Sequence, residues 1–269
     1  MRFAAMPILA ALAEAKRAKK GLDATTPVTN PYFTPLAQNL LATVAVVVYI
    51  KGVIAICDRL VVGKRLSPSL SRKIVHIAAG SWLVFWNLYT TAHWTWRLNI
   101  GVPLLFTLTL FLKGAIVRDR DDADVRTMSR TGAPYELLLG PLFFTLVMDV
   151  VGLAFFRQQV GALMMAAVGV GDGLAPMVGG RLGDKSVRYT LLGREKTLEG
   201  SAAVFVGTWA ASWLFLRALG LPQIPIAERH ALACVSTVVE AFSPPDVDNL
   251  LIPAAIYAAH VYYFSSGAL

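Results

Sequence analysis

Apolar residues run in long blocks along this chain, and charged residues collect between the blocks. A hydrocarbon core takes roughly 20 mostly apolar residues per helix. Eight stretches approach that length: 36–56, 74–92, 98–117, 137–156, 159–180, 200–219, 230–243 and 249–266. The second and last are cleanest, since 74–96 and 249–269 contain no Lys, Arg, Asp or Glu. The others carry isolated charges such as Lys51, Lys113, Asp149, Asp172 and Glu240, and the seventh is the shortest. No apolar–polar alternation is sustained, which excludes a closed β-barrel. The pattern predicts an all-α fold, a polytopic transmembrane helix bundle of about seven or eight spans, occupying 36–269 and preceded by a basic tail over 1–35.

Composition agrees. Of 269 residues, 56% are hydrophobic and only 16% charged, against about 25% charged in soluble domains. Disorder, a coiled coil and a small disulfide scaffold are excluded. The net charge of +8 reads as basic loops flanking membrane helices, not as nucleic-acid binding. Cys57 and Cys234 lie far apart without metal-ligand spacing and read as buried small residues. The Trp cluster at 82, 86, 94 and 96 reads as an aromatic belt at one membrane surface.

The charges also predict sidedness. Loops after odd-numbered spans hold 14 Lys or Arg and the even-numbered loops four. The odd loops therefore face the cytoplasm, or the stroma in a plastid. The tail, with Arg2, Lys16, Arg17, Lys19 and Lys20, falls on the opposite side. Its basic, Ala-rich, acid-poor composition suits an organellar transit peptide or an amphipathic surface arm. A transit peptide, cleaved off, would remove the conflict and place the protein in a plastid membrane.

Ionisable residues inside membrane segments are costly and are functional candidates by default. Here they gather near the odd-loop face: His76, Glu136, Asp172, Glu199, Glu240, Asp246 and Asp248, with the polar Asn249 beside them. The richest stretch is 169–201, GVGDGLAPMVGGRLGDKSVRYTLLGREKTLEGS. Gly171, Gly173, Gly179 and Gly183 keep the backbone open to a ligand or to a packed helix. Asp172 stands alone among apolar and small residues. Arg181, Arg194 and Lys196 supply cations for anionic oxygens, and Gly200-Ser201 opens the next helix, whose free N–H groups favour phosphate. It is not a Walker A loop, because Gly183 is followed by Asp184 before Lys185-Ser186. Carboxylates beside Lys and Arg suit a Mg²⁺–nucleotide site.

At this point the chain resembles a family. Gly171, Asp172, Ala175, Gly179 and Gly183 match the G-D-x-x-A-x-x-x-G-x-x-x-G pattern of the polyprenol kinases. Lys196-Thr197-x-x-Gly200-Ser201 matches their K-[ST]-x-x-G-S. Glu240, Asp248, Asn249 and Pro253 match V-V-E…D-N…P, and Arg72, Lys73, His76 and Gly80 match R-K-x-x-H-x-x-x-G. PYELLLGPLFFTLV at 134–147 is similar to the E-L-L-x-G-P-L of plant-type phytol and farnesol kinases. Pro176 departs from the small or polar residue expected there and bears on local helix geometry.

The resemblance implies a membrane kinase that moves the γ-phosphate of CTP to an isoprenoid alcohol, with phytol favoured by the plant-type segment. It implies Asp172, Lys196 and Glu240 as catalytic residues and Asp172, Glu240 and Asp248 around Mg²⁺. Nucleotide contacts would come from Arg72, Lys73, His76, Arg181, Arg194, Ser201 and Asn249, with the glycines at 171, 173, 179, 183 and 200. The prenyl chain would lie between helices in the lipid-facing wall; no protein partner is implied. The rivals are dolichol kinase, CTP-dependent diacylglycerol kinase, phosphatidate cytidylyltransferase and, as a different class, a transporter. Residues 240–253 lack the Lys and Arg of the cytidylyltransferase signature, and no internal repeat marks a transporter.

Overall fold

The computed structural model describes residues 29–129, 131–180, 185–244 and 246–266. Helix α1 spans Pro35–Val62 and starts where Thr34 accepts from the Ala37 amide with Pro at the first position. Helix α2, Pro68–Gly80, starts the same way on Ser67 and runs on as a 3-10 segment, Ser81–Leu88. A second 3-10 turn, Trp94–Ile100, leads into α3, Gly101–Phe111, which ends in a π-turn over Leu112–Val117. After α4, Ala123–Met128, and a 3-10 turn at Pro134–Leu138, α5 spans Gly140–Ala154. Helix α6, Gln159–Met165, passes through a π-turn, Ala166–Gly171, into α7, Asp172–Gly179. A hairpin of β1, Arg188–Leu191, and β2, Arg194–Thr197, precedes α8, Leu198–Leu219. Helices α9, Ile226–Phe242, and α10, Asp248–Ser266, complete the chain.

Each of the eight apolar stretches is thus largely helical, while fewer than seven meet the length and hydropathy of a membrane span among the described residues. Among the described residues, five segments are long and apolar enough to cross a membrane: Pro35–Val62, Trp94–Val117, Pro134–Ala154, Gln159–Gly179 and Leu198–Leu219. The second stretch falls short because its α-helix stops at Gly80. The seventh yields 17 residues.

The continuous segment Gln159–Gly179 is the most enclosed of the five, with 78% of its apolar window buried. Two close approaches hold it. A Cβ at Gly80 would stand 2.7 Å from the Gly169 Cα, so α2 and the central segment touch backbone to backbone. On another face, Gly171 meets Thr208 and Val204 of α8. Lipid tails are as apolar as Leu, so small residues that let backbones meet are what van der Waals packing in a membrane requires. Pro176 does not break the segment. It has no N–H for the Asp172 carbonyl one turn back, and a π-turn lies immediately upstream; π-turns inside helices are frequent at functional sites.

Two expectations about aromatic and small residues need correction. Trp82 and Trp86 are no belt: both are buried in the core, edge to face at 5.6 Å. Trp82 also donates to the Asn99 carbonyl at 3.0 Å. Burying such large rings removes much apolar area from contact with solvent; the Trp86 indole N–H is buried without a hydrogen-bond partner among the described residues. Trp94 alone of the four is strongly exposed, at 66%. Cys57 is buried as expected, whereas Cys234 is exposed.

Candidate functional site

The basic hairpin is the one sheet among the described residues, and its local sequence accounts for it. Leu192 and Gly193 both have positive φ, 50° and 73°, as a two-residue turn matched to strand twist demands. The register pairs Tyr189 with Lys196 and Leu191 with Arg194. Those four side chains therefore share one face, and each is partly buried, while Arg188 and Glu195 pair at 2.8 Å on the exposed face. Four-residue strands are too short for alternation to stand out, which is why the stretch read as loop.

The inward face of the hairpin docks on the end of α9. Lys196 Nζ forms a short ion pair with Glu240 Oε1 and donates to the Glu240 carbonyl at 3.2 Å. Arg194 Nη1 donates to the Ser243 carbonyl at 2.6 Å, beyond the last turn of α9. Helix C-termini leave carbonyls without partners, and cations near them are favoured by the helix dipole. Tyr189 Oη lies 2.6 Å from Ser201 Oγ, fixing the hairpin to the first turn of α8. Thr197 caps that helix by accepting from the Gly200 amide at 3.1 Å.

Across the same end of the bundle, α2 approaches the central segment. Lys73 Nζ lies 3.4 Å from Asp172 Oδ2, and His76 Nε2 lies 3.7 Å from the same oxygen. His76 Nε2 is also 3.0 Å from the Val168 carbonyl, and its ring stacks on Phe144 at 3.9 Å. Asp172 is 4% exposed; a carboxylate so enclosed needs cations close by. The first residue of α10, Asp248, completes the group. Its carboxyl is pushed up to about 7, first by burial and then by the negative charge of Asp172, with Lys73 acting against the rise. Asn249 Nδ2 donates to the Gly140 carbonyl at 3.3 Å, anchoring α10 to α5.

The structure therefore brings Lys73, His76, Asp172, Arg194, Lys196, Glu240, Asp248 and Asn249 to one end of the bundle. Arg72 lies beside them in a cavity of about 190 Å³ shared with Tyr135, Glu136 and Asp246. Gly171, Gly173, Gly179 and Gly200 face neighbouring helices or Thr197 at distances where a Cβ would collide, and Ser201 faces Tyr189. Arg181 and Gly183 lie outside the described residues. Tyr189, Phe144 and the Ser243 carbonyl take part without having been singled out; the placement of Tyr189 opposite Lys196 follows only from the hairpin register.

In phosphate-handling sites generally, Mg²⁺ is held through one or two carboxylates together with substrate phosphates. Asp172 and Asp248 offer hard oxygens, and Glu240 Oε2 and Asn249 Oδ1 are buried without a hydrogen-bond partner. Among the described residues no three His, Cys, Asp or Glu side chains form a ready-made metal cage. The carboxylates present suit an ion that arrives with phosphate.

Fold and site together define an α-helical, multi-pass membrane protein with a cluster of opposite charges at one end. The chain belongs to the plant-type phytol kinase family, within the polyprenol kinases. It is 30% identical over 240 residues to "Probable phytol kinase 1, chloroplastic" of Glycine max, covering 85% of this chain and 78% of that protein. It is 30% identical over 250 residues to "Probable phytol kinase, chloroplastic" of Triticum aestivum, covering 87% and 82%. With "Phytol kinase 1, chloroplastic" of Arabidopsis thaliana the identity is 28% over 259 residues, covering 92% and 83%. No family model and no solved structure matches the chain.

Proposed function

We propose that the protein is a membrane kinase that transfers the γ-phosphate of CTP to phytol. The carrying observation is the convergence of Asp172, Lys73 and His76 with the Lys196–Glu240 pair at one end of an apolar bundle. Relatives named phytol kinase support the acceptor, and the family resemblance supports CTP. A lipid-embedded alcohol and a soluble nucleotide can meet only where bilayer gives way to water, and the charged cluster offers such a meeting point.

Phosphoryl transfer asks mainly for alignment and charge neutralisation. The alcohol oxygen forms a bond to the γ-phosphorus, the bond to the β–γ bridging oxygen breaks, and CDP leaves. The hydroxyl proton passes to a carboxylate of the cluster. Lys73, Lys196 and Arg194 oppose the phosphate oxygens as charge-assisted donors. Asp172 and Asp248 would hold Mg²⁺, with Glu240 and Asn249 adjoining. An ion held there would supply positive charge against the phosphate oxygens. Nucleotide binding would draw Lys73 and Lys196 partly away from their carboxylates and toward phosphate.

The chloroplastic names of the relatives support a plastid membrane. The stretch that reads as a transit peptide or surface arm falls mostly on 1–28, outside the described residues.

The test is transfer of label from γ-labelled CTP or ATP, in membranes from an expressing host, to phytol, farnesol, geranylgeraniol, dolichol and diacylglycerol. Labelled phytyl phosphate from CTP, lost in Asp172→Asn, is the expected result. Label on diacylglycerol or dolichol alone would replace the acceptor, and ATP preference would replace the donor. Label on no alcohol would overturn the kinase reading.

A further inference from the structure

We propose that the cavity beside Arg72 receives the base of the nucleotide donor, and that Glu136 and Arg72 select a single-ring base carrying an amino group, as in cytosine. This assignment rests on the kinase reading above, but the shape and chemistry of the cavity favour the donor independently of the resemblance. The cavity holds about 190 Å³ and is lined by four polar residues, Arg72, Tyr135, Glu136 and Asp246, and by apolar side chains that include Met128 and Leu139. Cavities that take whole ligands commonly run to roughly 300–1,000 Å³. This one suits part of a nucleotide, and one ring better than two.

Two walls join the cavity to the charged cluster. Arg72 precedes Lys73, whose Nζ lies 3.4 Å from Asp172 Oδ2. On the other side, a Cβ at Gly140 would stand 2.5 Å from Asp246 Oδ1 and 3.4 Å from Asn249 Nδ2. The bare backbone of Gly140 thus lets the Asp246 carboxylate stand beside Asn249, which donates to the Gly140 carbonyl at 3.3 Å. Arg72 lies near the start of α2, Tyr135 and Glu136 in the 3-10 turn before α5, and Asp246 in the turn between α9 and α10. A nucleotide whose phosphates meet Lys73 therefore finds an adjoining chamber for its base at the same end of the bundle.

Glu136 is held for recognition. Its Oε1 accepts from Thr131 Oγ1 at 2.7 Å and its Oε2 from the Thr131 amide at 3.2 Å. A carboxylate has about four acceptor sites, so it can take a further N–H. Cytosine presents along one edge an amino donor followed by two acceptors, a ring nitrogen and a carbonyl oxygen. Carboxylates accept from that amino group, and a guanidinium, which only donates, suits the two acceptors. Uracil turns an oxygen toward the carboxylate where cytosine turns N–H, and the two oxygens repel. Adenine carries an amino group but needs room for two rings. Tyr135, 60% exposed at the rim, offers a ring face for stacking, which adds affinity for any base without choosing among them. Asp246, nearer the charged cluster, is left to the ribose hydroxyls.

The experiment uses the full chain in lipid nanodiscs with phytol, and varies CTP, UTP and ATP in turn. The unaltered protein is expected to show its highest kcat/KM with CTP. Glu136→Gln replaces an acceptor by an amide that also donates, so the preference for CTP over UTP should fall by about tenfold, with KM for phytol unchanged. Tyr135→Ala should raise KM for CTP and UTP alike. Damage to folding alone lowers turnover with both nucleotides equally and leaves their ratio in place. An unchanged ratio in Glu136→Gln would therefore overturn the assignment, as would a preference of the unaltered protein for ATP. An azido-cytidine triphosphate, photolysed on the unaltered protein, gives a readout independent of turnover and of variant folding. Label on Arg72, on 131–141 or on Asp246 is expected; label confined to other positions would overturn the assignment. Failure of the unaltered protein to phosphorylate any alcohol from any nucleotide would instead sink the kinase reading, with the cross-link still deciding the cavity.

Discussion

Gly80 and Gly169 meet backbone to backbone, and their contact sets how closely α2 approaches the segment that carries Asp172. His76 lies one turn before Gly80 and Lys73 two turns before it, so the imidazole and the ammonium both reach the carboxylate because the glycines carry no side chain. Gly169→Leu should separate the two helices. The expected loss is about 1–3 kcal/mol of stability, the usual cost of overpacking, with activity falling further than stability. Thermal unfolding in detergent and turnover with CTP and phytol, measured on one preparation, check this.

Asp172→Asn keeps the volume of the side chain and removes its charge. Loss of a group that sets charge in a phosphoryl-transfer site should cost roughly 10²–10³-fold or more in kcat. The variant should still insert and purify as the unaltered protein does. Normal turnover in Asp172→Asn would remove this residue from the mechanism.

Lys196 and Glu240 form the most enclosed pairing between hairpin and bundle, and each single removal strands the other group. Lys196→Met leaves a carboxylate that is 5% exposed without its cation, and breaking such a pair costs about 3–5 kcal/mol. In Lys196→Met with Glu240→Gln together, part of that stability should return, since no bare charge stays buried. Activity should not return with it. A double-mutant cycle read once by unfolding and once by label transfer separates the two roles.

The hairpin turn offers a lever remote from the chemistry. Gly193 has φ of 73°, where a β-branched residue is strained. Gly193→Val should loosen the register that places Arg194 and Lys196 on α9. The expected effect is a several-fold rise in KM for the nucleotide with little change for phytol. Steady-state kinetics with each substrate varied in turn decide it.

Sidedness can be read by thiol labelling. In vesicles of one orientation, single cysteines at Arg118 and Arg188 should react from the same side. One at Arg217 should react only from the other. Reaction of Arg188→Cys and Arg217→Cys from the same side would refute the assignment drawn from loop charge.

The helical class, the apolar stretches and the acidic and basic residues of the site were legible along the chain. Both signals are local: lipid demands long apolar runs, and a charge inside such a run is too costly to be incidental. Which of them meet was not local. Lys73 and Asp172 are 99 positions apart and Lys196 and Glu240 are 44 apart. Tertiary packing alone decided those pairings, together with the short hairpin that aims Arg194 and Lys196. It also decided that Gly171 and Gly173 seat neighbouring helices and that Trp82 and Trp86 belong to the core. A linear pattern records what each residue costs in lipid, whereas the partner that offsets the cost is chosen by how closely the helices can approach.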